Sequence, residues 1–101
     1  MIKLANGAKV HNAVLFNFEE SLRTTGMVLA ETDTDFVTWN VWLADYTREI
    51  YEADSGHYFH KHGPMERGAD RQLAEIDLGK RLALHIPMNV YEGLSQSCGG
   101  I

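Results

Sequence analysis

The cleanest alternation of apolar and polar positions in this chain runs through Phe36-Val-Thr-Trp-Asn-Val-Trp-Leu43. Its β-branched and aromatic content favours a strand. At a period of two, Val37, Trp39, Val41 and Leu43 face one way, and Phe36, Thr38, Asn40 and Trp42 face the other. Upstream, Val10, Val14, Phe16 and Phe18 share parity with Asn12 interrupting, which predicts a half-buried strand over residues 9–18. A polar turn over residues 19–25 leads to a short apolar run, Gly26 to Ala30, that reads as another strand. Asn6-Gly7 sits between two short apolar runs and predicts a hairpin with a type I′ turn. Downstream, Asp45-Tyr-Thr-Arg48 turns the chain. Residues 49–53 and 57–60 then continue as strand, with Asp54-Ser55-Gly56 as a second turn or a bulge. The first sixty residues read as an antiparallel meander.

Gly63-Pro64 ends that run. Residues 69–85 carry two conflicting patterns. Their Ala, Leu, Arg, Gln, Glu and Lys content is that of a helix. Yet Ala74, Ile76, Leu78, Leu82, Leu84 and Ile86 share even parity, which would suit two strands joined at Gly79. We expect the helix, because a sheet of this size needs a cover. The fold class is then α+β: an antiparallel sheet of four to six strands with one covering helix. A single domain is expected over residues 1–92, with residues 93–101 as a flexible tail.

Length and composition narrow the function. A chain of 101 residues is one domain, and 45% hydrophobic with 23% charged residues is ordinary globular composition. The longest apolar stretch, Ala13-Val-Leu-Phe16, is far short of a membrane span, and no basic leader with an apolar core opens the chain. The lone Cys98 excludes an internal disulfide framework and fits a reducing compartment. A net charge of −5 argues against direct nucleic-acid binding, which needs a basic face.

That charge is unevenly placed. Residues 31–54 carry Glu31, Asp33, Asp35, Asp45, Glu49, Glu52 and Asp54 against Arg48 alone, while residues 55–101 balance five acids with five bases. One reading is a solvated face that keeps the sheet soluble. The other is a negative surface that docks on a basic partner. Trp42, Tyr46 and Tyr51 fall on the same stretch, and aromatic anchors are enriched at interface centres. The candidate partner-binding set is therefore Trp42, Asp45, Tyr46, Glu49, Tyr51, Glu52 and Asp54. Trp42 is equally a packing residue if the sheet is covered on both faces.

Signatures of catalysis are absent. The chain has no glycine-rich phosphate loop, no nucleophile elbow and no helical His-Glu-x-x-His. No catalytic residue and no cofactor is assigned, and Cys98 is read as a bystander thiol. His57-Tyr-Phe-His-Lys-His62 is the one cluster with metal-ligand residues. In a strand His60 and His62 share a face about 6.8 Å apart, but His57 faces away. The expectation is no metal, with His60 and His62 as the weak candidates.

Val37-Thr38-Trp39 and Gly56-His57-Tyr58-Phe59 resemble a scattered group of small bacterial and mobile-element proteins of no established function. In those proteins a Val-Thr-Trp strand is followed by a short hairpin, Gly-His-Tyr-Phe and a helix. The likeness covers about 30 residues and implies a strand–strand–helix core and no catalytic residues. Here His60-Lys-His-Gly-Pro64 intervenes before any helix. In size, acidity and want of motifs the chain is similar to phage-encoded anti-CRISPR and antirestriction inhibitors. The expected function is a non-enzymatic acidic binding protein of a phage or mobile element. It would block a basic nucleic-acid-binding surface of a host defence complex, such as a CRISPR effector, in the bacterial cytoplasm. A small structural or assembly protein is the alternative, with a homodimer compatible with either, and a histidine-metal protein comes third.

Overall fold

Residues Phe36–Leu43 lie in the middle strand of a five-stranded sheet in the computed structural model, which describes residues 2–17 and 24–85. The elements are β1 (Lys3–Leu4), β2 (Lys9–Asn17), β3 (Thr24–Glu31), β4 (Asp35–Asp45), β5 (Ile50–His60) and α1 (Arg67–His85). Strands β2 to β5 form the expected meander, and the sheet order is β1-β5-β4-β3-β2. The fold is α+β, mostly antiparallel, with α1 packed on one face. No helix among the described residues is long and apolar enough to cross a membrane. The expected tail over 93–101, the 92/93 boundary, Phe18 and Cys98 lie outside the described residues.

The alternation of β4 builds two cores. Val37, Trp39 and Val41 join Leu4, Val10, Val28, Ala30 and Tyr51 on one face. On the other face Phe36 joins Met27 and Leu29 beneath Ala74 and Leu78 of α1. Burying a leucine such as Leu78 contributes about 2 kcal/mol. The helix reading holds because the buried positions Asp70, Ala74 and Leu78 recur every four residues. The even parity was a coincidence, since Ile76 and Leu84 are exposed.

The Asn6-Gly7 hairpin is not formed. Leu4 accepts a hydrogen bond from Gly7 N–H at 3.0 Å, and of the two turn residues only Gly7 has positive φ, at 80°. A type I′ turn needs two. Instead β1 runs parallel to β5, Lys3 beside Ile50 and Leu4 beside Tyr51, at the sheet edge opposite β2. In a flat sheet the end of β1 and the start of β2 would stand about 30 Å apart, from four strand spacings and roughly eight residues of strand. Five Cα–Cα steps from Leu4 to Lys9 reach at most about 18 Å. The sheet is therefore strongly coiled. Its face without the helix is concave, crossed diagonally by Ala5–Ala8, with Ile2 and Ala8 packed into that core.

Three bulges among the described residues set the side chains, the one at Ala44 separating Leu43, opposite Tyr51, from Asp45, opposite Ile50. His11 is the extra residue between Val10, opposite Ala30, and Asn12, opposite Leu29. It reverses parity along β2, so Val10 enters the concave core while Phe16 packs on the helix side. In β5, Ser55 and Gly56 stand opposite the single Trp39, which makes Asp54-Ser55-Gly56 a bulge within one strand. Ser55 has φ of 53°, and a Cβ on Gly56 would lie 2.5 Å from Trp39 Nε1. The glycine is there because the indole lies against its backbone.

Candidate functional site

The acidic block separates into two groups once the chain is folded. Glu31, near the end of β3, points to the helix side, where Lys61 and Arg67 both reach it. Arg67 Nη2 lies 2.9 Å and His11 Nε2 2.8 Å from Glu31 Oε1, and Lys61 Nζ also bonds this carboxylate. Asp35 faces His60 at 3.7 Å. The Lys61 ammonium, with His11 and Arg67 beside it, holds the Glu31 carboxyl at about 2 against a usual 4.5, in spite of partial burial. A depressed carboxylate stabilises the fold above its unfolded value, and that stabilisation is lost as pH falls through the folded one. Screening at this half-open site reduces the contribution to about 1–2 kcal/mol. Urea midpoints should therefore fall between pH 5 and pH 2, and Glu31→Gln should flatten that part of the profile. An unchanged slope in the variant would contradict the assignment.

Asp45, Glu49, Glu52 and Asp54 form the second group, and none has a cationic partner among the described residues; exposed Asp33, in the β3–β4 turn, has none there either and belongs to neither group. They sit on the β4–β5 hairpin, where Tyr46, at 80% exposure, is the most open aromatic side chain of the described residues. The turn is built by Asp45, whose Oδ1 accepts from the Thr47 hydroxyl at 2.6 Å and from Thr47 N–H at 3.0 Å. Those bonds hold its carboxyl below the usual carboxylate range. Glu49 closes the turn with φ of 55°. Glu52 stands across from Trp42, Asp54 across from Asn40 and Asp45 across from Ile50, so these three side chains share the helix-side face. Trp42 is half-buried there, a packed residue with one open side.

Tyr51 does not belong to this surface. It pairs with Leu43 and is buried in the concave core, where burial and the nearby Glu49 charge push its phenol up. Of the seven candidate residues the hairpin gathers Trp42, Asp45, Tyr46, Glu49, Glu52 and Asp54.

The histidines divide among different carboxylates. His57 Nδ1 lies 3.0 Å from Asp77, and His62 Nδ1 lies 2.8 Å from Asp70, which also accepts from His62 N–H at 2.9 Å. The hydrogen bonds from His62, backbone first, hold the Asp70 carboxyl low. His60 and His62 rings are 5.9 Å apart at an angle of 80°, each turned to its own acid. No group of three or more potential metal ligands occurs among the described residues.

Two features could not be read from the sequence. One is an open depression of about 480 Å³ lined by Glu31, Lys61, His62, Gly63, Pro64 and Arg67. Its two fixed cations are already turned onto Glu31, so it offers no free charge to an anion. The other is a polar seam under α1. Thr38, wholly buried, donates to Asp77 at 2.6 Å, and Arg81 Nη1 donates to the Thr38 carbonyl at 2.6 Å and to its hydroxyl at 3.0 Å. The second Arg81 nitrogen donates to the Ser55 carbonyl, so one side chain ties α1 to β4 and to the β5 bulge. A comparison with family models, with curated proteins and with solved structures finds no match to this chain.

Proposed function

We propose that this chain is a non-enzymatic binding protein whose β4–β5 hairpin docks on a basic surface of a partner protein. The supporting observation is the division of the acids. Glu31, Asp35, Asp70 and Asp77 are met by cations or histidines within the fold, whereas Asp45, Glu49, Glu52 and Asp54 are left open around exposed Tyr46 and half-buried Trp42. A field of unpaired carboxylates speeds encounter with a basic surface, and an aromatic at its edge slows departure.

The partner class that fits is a protein that binds a phosphate backbone through Lys and Arg. The carboxylates would take the positions of the phosphates. In this reading the chain acts in the cytoplasm of a bacterial host, as a phage or mobile-element inhibitor of a defence complex such as a CRISPR effector.

The test is capture from a bacterial lysate on the immobilised chain, followed by binding kinetics with the retained protein. Asp45 holds the turn, so charge reversal belongs on Glu49 and Glu52. Glu49→Lys with Glu52→Lys should lower the association rate at low salt and flatten its salt dependence. Trp42→Ala, with its fold verified by circular dichroism, should mainly raise the dissociation rate. Nucleic acid should compete with the wild type. Wild-type kinetics in the charge-reversed protein would overturn the docking mechanism.

A further inference from the structure

Among the described residues only the first two of β5 have a neighbour on their outer side. β1 covers Ile50 and Tyr51, and beyond them the described residues leave the β5 edge open to His60. Lys61 N–H donates inward to Thr34 O at 2.9 Å. In an antiparallel ladder the direction alternates, so Phe59 and His57 also bond inward to β4. The N–H and C=O groups of Tyr58 and His60 therefore point out of the sheet, as does Gly56 beyond the bulge. Such an edge is a template for another strand.

Apolar side chains flank the same edge on both faces. On the concave side Tyr58 is 61% exposed although its hydroxyl lies 3.4 Å from Trp39 Nε1. On the other side, Asp77 meets His57 and Arg81 meets Ser55, which fixes the flank of α1 that overlooks β5. Leu73 is one turn before Asp77 and Leu84 two turns after it, so both lie on that flank. Both are more than half exposed.

We propose that the β5 edge over residues 56–60 pairs antiparallel with the same edge of a second copy, giving a two-fold dimer with a continuous ten-stranded sheet. The segment is symmetric about Tyr58. A two-fold axis there sets Tyr58 against its counterpart and Gly56 against His60, joining the outward-pointing groups of both copies. The apolar flanks of the two α1 helices then face each other across the axis. Charge selects the antiparallel direction. Parallel pairing would set Asp54 beside its own counterpart, whereas antiparallel pairing about Tyr58 keeps the two carboxylates apart. The hairpin tip with Tyr46 stays outside the interface, so this dimer is independent of the proposed partner docking.

Sedimentation velocity tests it. The wild type should run at twice the 11.4 kDa chain mass over the micromolar range. Tyr58→Lys sets two ammonium groups together at the axis, and Leu73→Lys charges the helix flank without touching either core. Both should run as monomers, and Glu49→Lys with Glu52→Lys should remain dimeric. If Tyr58→Lys fails to fold by circular dichroism, Leu73→Lys decides alone. A monomeric wild type overturns the proposal, as does a dimer that survives either folded substitution. A dimer dissolved instead by Val14→Lys, on the opposite sheet edge, overturns it as well.

Discussion

Trp39→Ala is expected to leave the chain unfolded or close to it, at a cost of about 3–5 kcal/mol in a domain whose total stability is on the order of 5–15 kcal/mol. Trp39 is 7% exposed and belongs to the concave core with Val28, Val37 and Val41. Its ring meets Tyr58 edge-on, with centroids 6.1 Å apart, and lies over the backbone of Gly56. Alanine would empty the space that the coiled sheet and the crossing segment Ala5–Ala8 enclose. Packing contacts would be lost on both sides at once. A urea melt decides it, and a folded variant that loses less than about 1 kcal/mol would show that this side chain does not hold the concave core. Gly56→Ala probes the same contact from the other side. Its Cβ would lie 2.5 Å from Nε1 and 2.7 Å from Cδ1 of the indole. Two strands hold both groups in place, so overpacking should cost about 1–3 kcal/mol.

The next largest effect is expected at Asp77, where an alanine should cost about 2–3 kcal/mol. Its carboxylate accepts a hydrogen bond from the hydroxyl of Thr38, a residue with no exposed surface, and also meets His57. Without it the hydroxyl loses its acceptor in a place water does not reach. Thr38→Val, which removes the hydroxyl and keeps the shape, gives the other side of a double-mutant cycle. The two substitutions should be coupled by more than about 1 kcal/mol, because one bond is lost in either case. Strict additivity would mean that the seam is not a unit.

Much of the fold was legible along the strands. The parity of Phe36–Leu43 identified both cores, because β4 is central and covered on its two faces. Asp54-Ser55-Gly56 announced the bulge through residues that tolerate unusual backbone angles. The β2 pattern misled. A bulge at His11 shifts the register by one residue, and nothing in Lys9–Asn17 marks where the extra residue falls. Asn6-Gly7 signalled a turn and the chain does turn there, but the partner strand is set by the distant β5.

The site was half-legible for the same reason. Residues 31–54 showed an excess of acid, yet which carboxylates stay open depends on Lys61, Arg67 and His60, brought in by long-range pairing. Alternation along β5 could have assigned Tyr51 to the core, since it sits one residue from outward-facing Glu52. The seam of Thr38, Asp77 and Arg81 joins positions about forty residues apart and has no local signature.

The pairing of β1 with β5 has a consequence for synthesis. Residues 2–4 are made before the other strands, but their place in the sheet does not exist until β5 has been added, after all of β2, β3 and β4. Closing so long a loop is slow relative to forming the hairpins in between. The meander can therefore assemble as the chain emerges, with Ile2 and Leu4 remaining outside it until the end. During that interval the concave core lacks one wall, and the outer side of β5 is open along its whole length. A nascent chain is most exposed to wrong strand pairing in this last step, and whatever seals the N-terminal residues early would favour the native closure.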